Sequence, residues 1–205
     1  MDDTKKRAVA LPKIAPDEDK VKELIVLLSE MSEGDEYFGA TKLNKLLFFT
    51  DFLAYIQYGK PVSGFMYKAM PEGPMLTDFY KLRDELAESL DISVASRNFG
   101  GHRQDKTLAL RNADPSKFSG EEMSIISHVV EEFRGHSASQ ISALSHEFLG
   151  WKAVDIGEEI PYEIALVSTA DLTQDEWAFP EGLKIDFGVL GINEAEVVAH
   201  DAQNL

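Results

Sequence analysis

The chain has no cysteine, only two tryptophans, and 20 basic side chains against 36 acidic ones. The missing thiols exclude disulfides, Cys-ligated zinc, iron–sulfur clusters and thiol nucleophiles, leaving five histidines and the carboxylates as metal ligands. The shortage of positive charge gives a net charge of -16, which repels nucleic-acid phosphates unless a basic patch is segregated on one face. Long apolar runs are also missing. No stretch approaches the ~18 residues that suggest a membrane span, and Met1 to Leu11 holds too short an apolar run for a secretory signal. A soluble, cytoplasmic protein without membrane contact is the expectation.

What remains is the composition of a globular domain, with 44% hydrophobic and 27% charged residues in a chain of 205. That length suits one core with an extension. Charge is unevenly spread along it. Residues 153–205 hold only Lys184 against twelve acids, whereas residues 42–111 carry ten basic and eight acidic side chains. The pattern divides the chain into an arm (1–16), a helical domain (17–167) and an acidic, aromatic-bearing extension (168–205).

Asp17, Glu18 and Asp19 supply the acidic first turn of a helix expected to run to about Glu33, with Gly34 as its stop. Thr41 to Tyr58 reads as a second helix, capped by Thr41 and Gly59, and ten of the fourteen residues from Leu43 to Ile56 are apolar. No single face can hold them, so this is the central buried helix. Gly64 to Ala69 alternates like a short strand. The turn Pro71-Glu-Gly-Pro74 then precedes a helix expected over Met75 to Leu90. Ile92 and Val94, then Leu108 and Leu110, alternate with polar residues on either side of Gly100-Gly101, predicting a β-hairpin whose long polar tip contains His102, Arg103 and Asp105. Ser119-Gly-Glu-Glu122 and Ser137-Ala-Ser-Gln140 are capping boxes opening two further helices. A short helix is expected near Pro161 to Val167. The fold class is therefore mainly α with a small β element, an α+β domain built around one buried helix.

Motifs for chemistry are incomplete. His146-Glu147 lacks the second histidine of a zinc-protease helix, and Gly135-His-Ser-Ala-Ser139 lacks the last glycine of a nucleophile elbow. Asp17-Glu-Asp19 lacks the glycine and terminal glutamate of a calcium loop, and Gly188-Val-Leu-Gly191 is half a dinucleotide fingerprint. No catalytic residue, metal ligand or cofactor is assigned. The helices after Ser119 and Ser137 resemble a helix-turn-helix, yet the second carries no Lys or Arg to grip phosphate, so nucleic acid is not expected as a partner.

Five blocks occur in a suggestive order: Lys42-Leu-Asn-Lys-Leu-Leu-Phe-Phe49, Tyr58-Gly-Lys-Pro61 with Tyr67-Lys-Ala69, Gly73-Pro74 with Tyr80, Ser119-Gly-Glu-Glu122, and Leu144-Ser-His-Glu147 with Trp151-Lys152. Over about Val21 to Leu166 the chain resembles the Panacea domain of SocA-like antitoxins. The resemblance implies a mainly helical domain with a small β element that binds and neutralises a toxin, one encoded next door in bacterial or phage genomes. In one branch such a domain serves as an adaptor that delivers its toxin to a protease. The chain departs from the pattern at Phe148-Leu149-Gly150, where an acidic, proline-containing link often precedes the Trp, and in its long acidic tail.

Within these blocks Leu43, Leu46 and Leu47 read as core, Gly73 and Pro74 as a turn, and Tyr80, His146 and Trp151 as family positions with structural roles. Lys42 and Lys45 open an otherwise apolar helix, and are expected to pair with carboxylates on the helix from Met75 or to contact a partner. Trp177, Phe179, Ile185 and Phe187 in the acidic tail are candidate partner contacts, because apolar side chains left in water are costly. The tail equally suits completion of this protein's own core. A hydrolase using His146 and Glu147 is the alternative from a different class.

Overall fold

The computed structural model describes residues 14–167. The expectations for residues 168–205, including Gly188 to Gly191, and for most of the arm fall outside the described residues.

Helix α1 (Glu18–Met31) opens at Asp17, whose carboxylate accepts from the Lys20 amide at 3.0 Å, and Glu18 and Asp19 place negative charge at the positive end of the helix. It ends before the expected Glu33 and without using Gly34. Ser32 is its cap, and the chain turns there because the Asp35 amide donates to Ser32 O while the Asp35 carboxylate accepts from the Tyr37 amide. Local side-chain acceptors of this kind compete with helix continuation.

Helix α2 (Ala40–Tyr58) is the expected central helix, buried without interruption from Lys42 to Tyr55. Gly39, not Thr41, is its N-cap, and no side chain caps it. A Cβ at Gly39 would stand 2.8 Å from Gln104 Cγ, so close packing against the hairpin decides that residue. Gly59 closes the helix at φ +68° as expected. Around α2 pack α1, β2, β4, α4, α5 and α7.

Strand β1 (Tyr67–Lys68) sits between β2 (Met75–Leu76) and β5 (Glu159–Ile160) in an antiparallel sheet. Met75 and Leu76 were expected to be helical. Instead they pair with Lys68 and Tyr67, and Asn44 Oδ1 accepts from the Leu76 amide at 3.1 Å, so helix α3 (Phe79–Glu88) starts later. The hairpin of β3 (Ile92–Phe99) and β4 (His102–Ala109) is present, but its tip is only Gly100-Gly101, at φ +60° and +84°. That tight turn places His102, Arg103 and Asp105 within β4 rather than in a long tip, because two adjacent glycines can adopt the left-handed conformations that close a hairpin in two residues.

Both capping boxes form as read, at the starts of α4 (Gly120–Glu132) and α5 (Ala138–Glu147). The short α6 (Leu149–Lys152) and α7 (Ile164–Val167) complete the described chain. Phe148 joins α5 to α6 and lies edge-on to Phe48 and Phe52, with ring centroids 5.3 and 5.2 Å apart. A Cβ on Gly150 would meet Phe148 Cε1 at 2.5 Å and Ile164 Cγ2 at 2.7 Å. The departure at Phe148-Leu149-Gly150 is thus a packing device in which an aromatic wedge stands over a residue that must be small.

Candidate functional site

The polar side chains of the apolar α2 define the centre of the domain. Lys42, 1% exposed, places Nζ 2.6 Å from Asp35 Oδ2, 2.6 Å from Phe133 O and 2.7 Å from His136 O. Three acceptors match the three protons of an ammonium. Burial raises the Asp35 carboxyl, but the Lys42 hydrogen bond and the Tyr37 amide outweigh it and hold the group below the usual carboxylate range. The pair fastens the turn before α2 to the turn between α4 and α5.

One turn along α2, Lys45 is 2% exposed and donates to Pro74 O at 2.9 Å. Gly73, at φ +91°, lies against it, and a Cβ there would sit 2.3 Å from Ser145 Oγ and 2.9 Å from Lys45 Nζ. Burial pushes the Lys45 amine down to about 7, with Glu72 opposing. Beside it the His146 ring stacks on Trp151 at 4.1 Å, and Trp151 Nε1 donates to Met70 O at 3.2 Å. Burial, then the Lys45 charge, lowers the His146 pKa. This cluster gathers Lys45, Gly73, Pro74, His146 and Trp151 from three separate sequence blocks onto one turn.

A serine beside an amine of lowered pKa is the arrangement of an activated nucleophile. Here Ser145 Oγ donates to Ser142 O at 2.8 Å and the residue is fully buried, so the pair acts as packing and polar satisfaction. Glu147 forms an ion pair with Lys152 at 2.6 Å. Among the described residues no group of three or more His, Asp or Glu could hold a metal ion. No helix among them is long and apolar enough to cross a membrane.

A third polar centre surrounds Asp51, which lies outside the family blocks although its partner Tyr67 belongs to one. Its carboxylate accepts from the Ser63 amide at 2.6 Å, from the Ser63 hydroxyl and from Tyr67 Oη at 2.8 Å. Burial pushes the Asp51 carboxyl up. An aspartate inside the apolar run of α2 was the available signal, since a buried carboxyl requires donors.

The expected pairing of Lys42 and Lys45 with carboxylates on the helix after β2 does not occur. Lys42 takes Asp35 and two carbonyls, and Lys45 takes Pro74 O. Leu43, Leu46 and Leu47 are core residues as read, whereas Tyr80 is 53% exposed on α3. An open depression of about 380 Å³ on the hairpin is lined by Ser96, Arg97, Asn98 and Arg103. Its arginines are engaged: Arg97 donates to Gln104 and to Glu36 O, and Arg103 to Asp105. Trp177, Phe179, Ile185 and Phe187 lie outside the described residues.

The fold is an α+β helical domain in which Lys42, Lys45, Gly73 and Pro74 from the family blocks meet in enclosed polar contacts around one central helix. A sequence model of the family described as antitoxin SocA-like, Panacea domain, matches residues 43–152, and the chain belongs to that family. No curated protein and no solved structure matches it.

Proposed function

We propose that this chain is an antitoxin that acts in the cytoplasm and neutralises its cognate toxin by direct protein–protein binding. The observation that carries the reading is membership of the SocA-like Panacea family over residues 43–152. The polar clusters support it from the chemical side, because Lys45 and Ser145 are closed to solvent and Glu147 is engaged by Lys152. The acidic tail, with Trp177, Phe179, Ile185 and Phe187, supplies the toxin contact. Negative charge steers such a segment toward the basic sites of toxins that act on RNA or nucleotides, and Leu183 to Val189 suits addition to a sheet edge.

The test is co-expression with the product of the adjacent reading frame, scored by growth rescue and co-purification together. Rescue with a stable complex is expected. Rescue with a vanishing partner assigns the adaptor route to a protease instead, and a harmless neighbour that does not co-purify removes the antitoxin reading. Deleting residues 168–205 is expected to abolish binding while the domain stays folded. Unfolding of that variant would assign the tail to the core.

A further inference from the structure

Two basic groups from different helices meet over one turn. Lys45 reaches the segment Met70 to Pro74 from α2, His146 reaches it from α5, and Trp151 from α6. The segment answers with carbonyls. Pro74 O accepts from Lys45 Nζ at 2.9 Å, and Met70 O accepts from Trp151 Nε1 at 3.2 Å. Gly73 stands between the helices: a Cβ there would be 2.3 Å from Ser145 Oγ and 2.9 Å from Lys45 Nζ, so the amine and the residue before His146 close on one point.

This arrangement has too few acceptors for two charged bases. An ammonium carries three protons and an imidazolium donates from both ring nitrogens. Lys45, 2% exposed, gives one proton to Pro74 O. His146 Nε2 is buried and meets no hydrogen-bond partner among the described residues, so charging the ring leaves a buried donor unmet. Like charge adds to this. Burial, then the Lys45 charge, lowers the His146 ring from its ordinary 6.5, with Glu72 on the turn and Glu147 on α5 opposing. Glu72 is exposed, and Glu147 is paired with Lys152 of α6 at 2.6 Å, so neither carboxylate offsets a second buried charge.

We propose that Lys45 and His146 form a proton-operated latch, which holds α5 and α6 against the turn Pro71 to Pro74 while at most one of them is charged and releases them when both are. Each base binds protons less readily in the closed contact than in the open chain, so falling pH favours opening. Lys45 contributes between its ordinary 10.5 and about 7, and His146 as the pH falls through 6.5. Release therefore comes below neutrality, where His146 adds its charge to that of Lys45. The latch belongs to this chain alone and does not depend on a toxin partner.

Hydrogen exchange of the full chain, followed from pH 7 to pH 5 and corrected for the intrinsic pH dependence of amide exchange, tests it. Exchange over residues 145–152 is expected to quicken at least tenfold while Leu46 to Phe52 of α2 stay protected. His146→Phe, which keeps an aromatic ring against Trp151 and takes up no proton, is expected to remove most of that acceleration. If this variant melts at a lower temperature, Glu72→Gln decides, because its side chain is exposed. Loss of the opposing carboxylate is expected to move the midpoint of opening to higher pH. Exchange over residues 145–152 that ignores pH overturns the proposal, as does equal acceleration in α2, which marks global unfolding. So does acceleration that survives in full in a stable His146→Phe, or a midpoint that Glu72→Gln leaves in place.

Discussion

Lys45 brings an amine into a site where a carbonyl takes one of its protons and water is shut out, and burial pushes its pKa to about 7 against the ordinary 10.5. Between those values the unfolded chain holds a proton that the folded chain has released. Stability therefore rises with pH across that window, and the cost of burying the charged amine is felt in full below it. The variant Lys45→Met, similar in length and uncharged, is expected to flatten the rise between pH 7 and 10 in urea-unfolding free energies. An unchanged slope would mean that another group titrates there. Gly73 is constrained by the same cluster, through both its φ of +91° and the 2.3 Å approach a Cβ would make to Ser145 Oγ. Gly73→Ala is expected to cost about 2 kcal/mol or more. Adding Ser145→Ala should return part of that loss, and a double-mutant cycle measures the coupling. The sequence marked Gly73-Pro74 as a turn. It could not mark the close approach, because Ser145 is 72 residues away in the chain.

Among the elements, α3 ends in an unusual way. The Leu90 amide donates to Ala87 O and the Asp91 amide to Leu86 O, the paired bonds of a Schellman ending, with Leu90 at φ +63° in the position usually taken by glycine. A leucine there pays the steric cost of the left-handed conformation while its side chain stays largely in water. Leu90→Gly is expected to raise the unfolding free energy by up to ~1 kcal/mol, the relief of strain being offset in part by glycine's greater freedom in the unfolded chain. A loss of stability in denaturant titration would instead show that the leucine side chain makes a contact worth more than the strain. The caps of α4 and α5 were legible because a capping box is complete within four residues. Strand β2 was not, because Met75 and Leu76 are committed by β1 and by Asn44, partners that a local pattern does not contain.

Across the whole molecule, Lys42 joins parts of the chain that are distant in sequence. Its contacts with Asp35, Phe133 O and His136 O hold the turn after α1 to the turn after α4, with α2 between them. Truncating one partner strands the other as a buried charge, so Lys42→Met is expected to cost roughly 3–5 kcal/mol. The double variant Asp35→Leu/Lys42→Met should recover much of this, and equal losses in both would show that the carbonyl contacts dominate. The sequence by itself determined the fold class, the central helix, the hairpin and the helix caps, because each rests on periodicity or chemistry within a few neighbouring residues. It also carried the family, through blocks whose order survives without their contacts. Tertiary structure alone decided which acceptors the buried lysines take, where α3 begins, and that the buried Nε and Nη1 of Arg83 meet no hydrogen-bond partner among the described residues. Each of these depends on groups brought together by packing, and a desolvated charge takes whichever acceptor the fold places within reach.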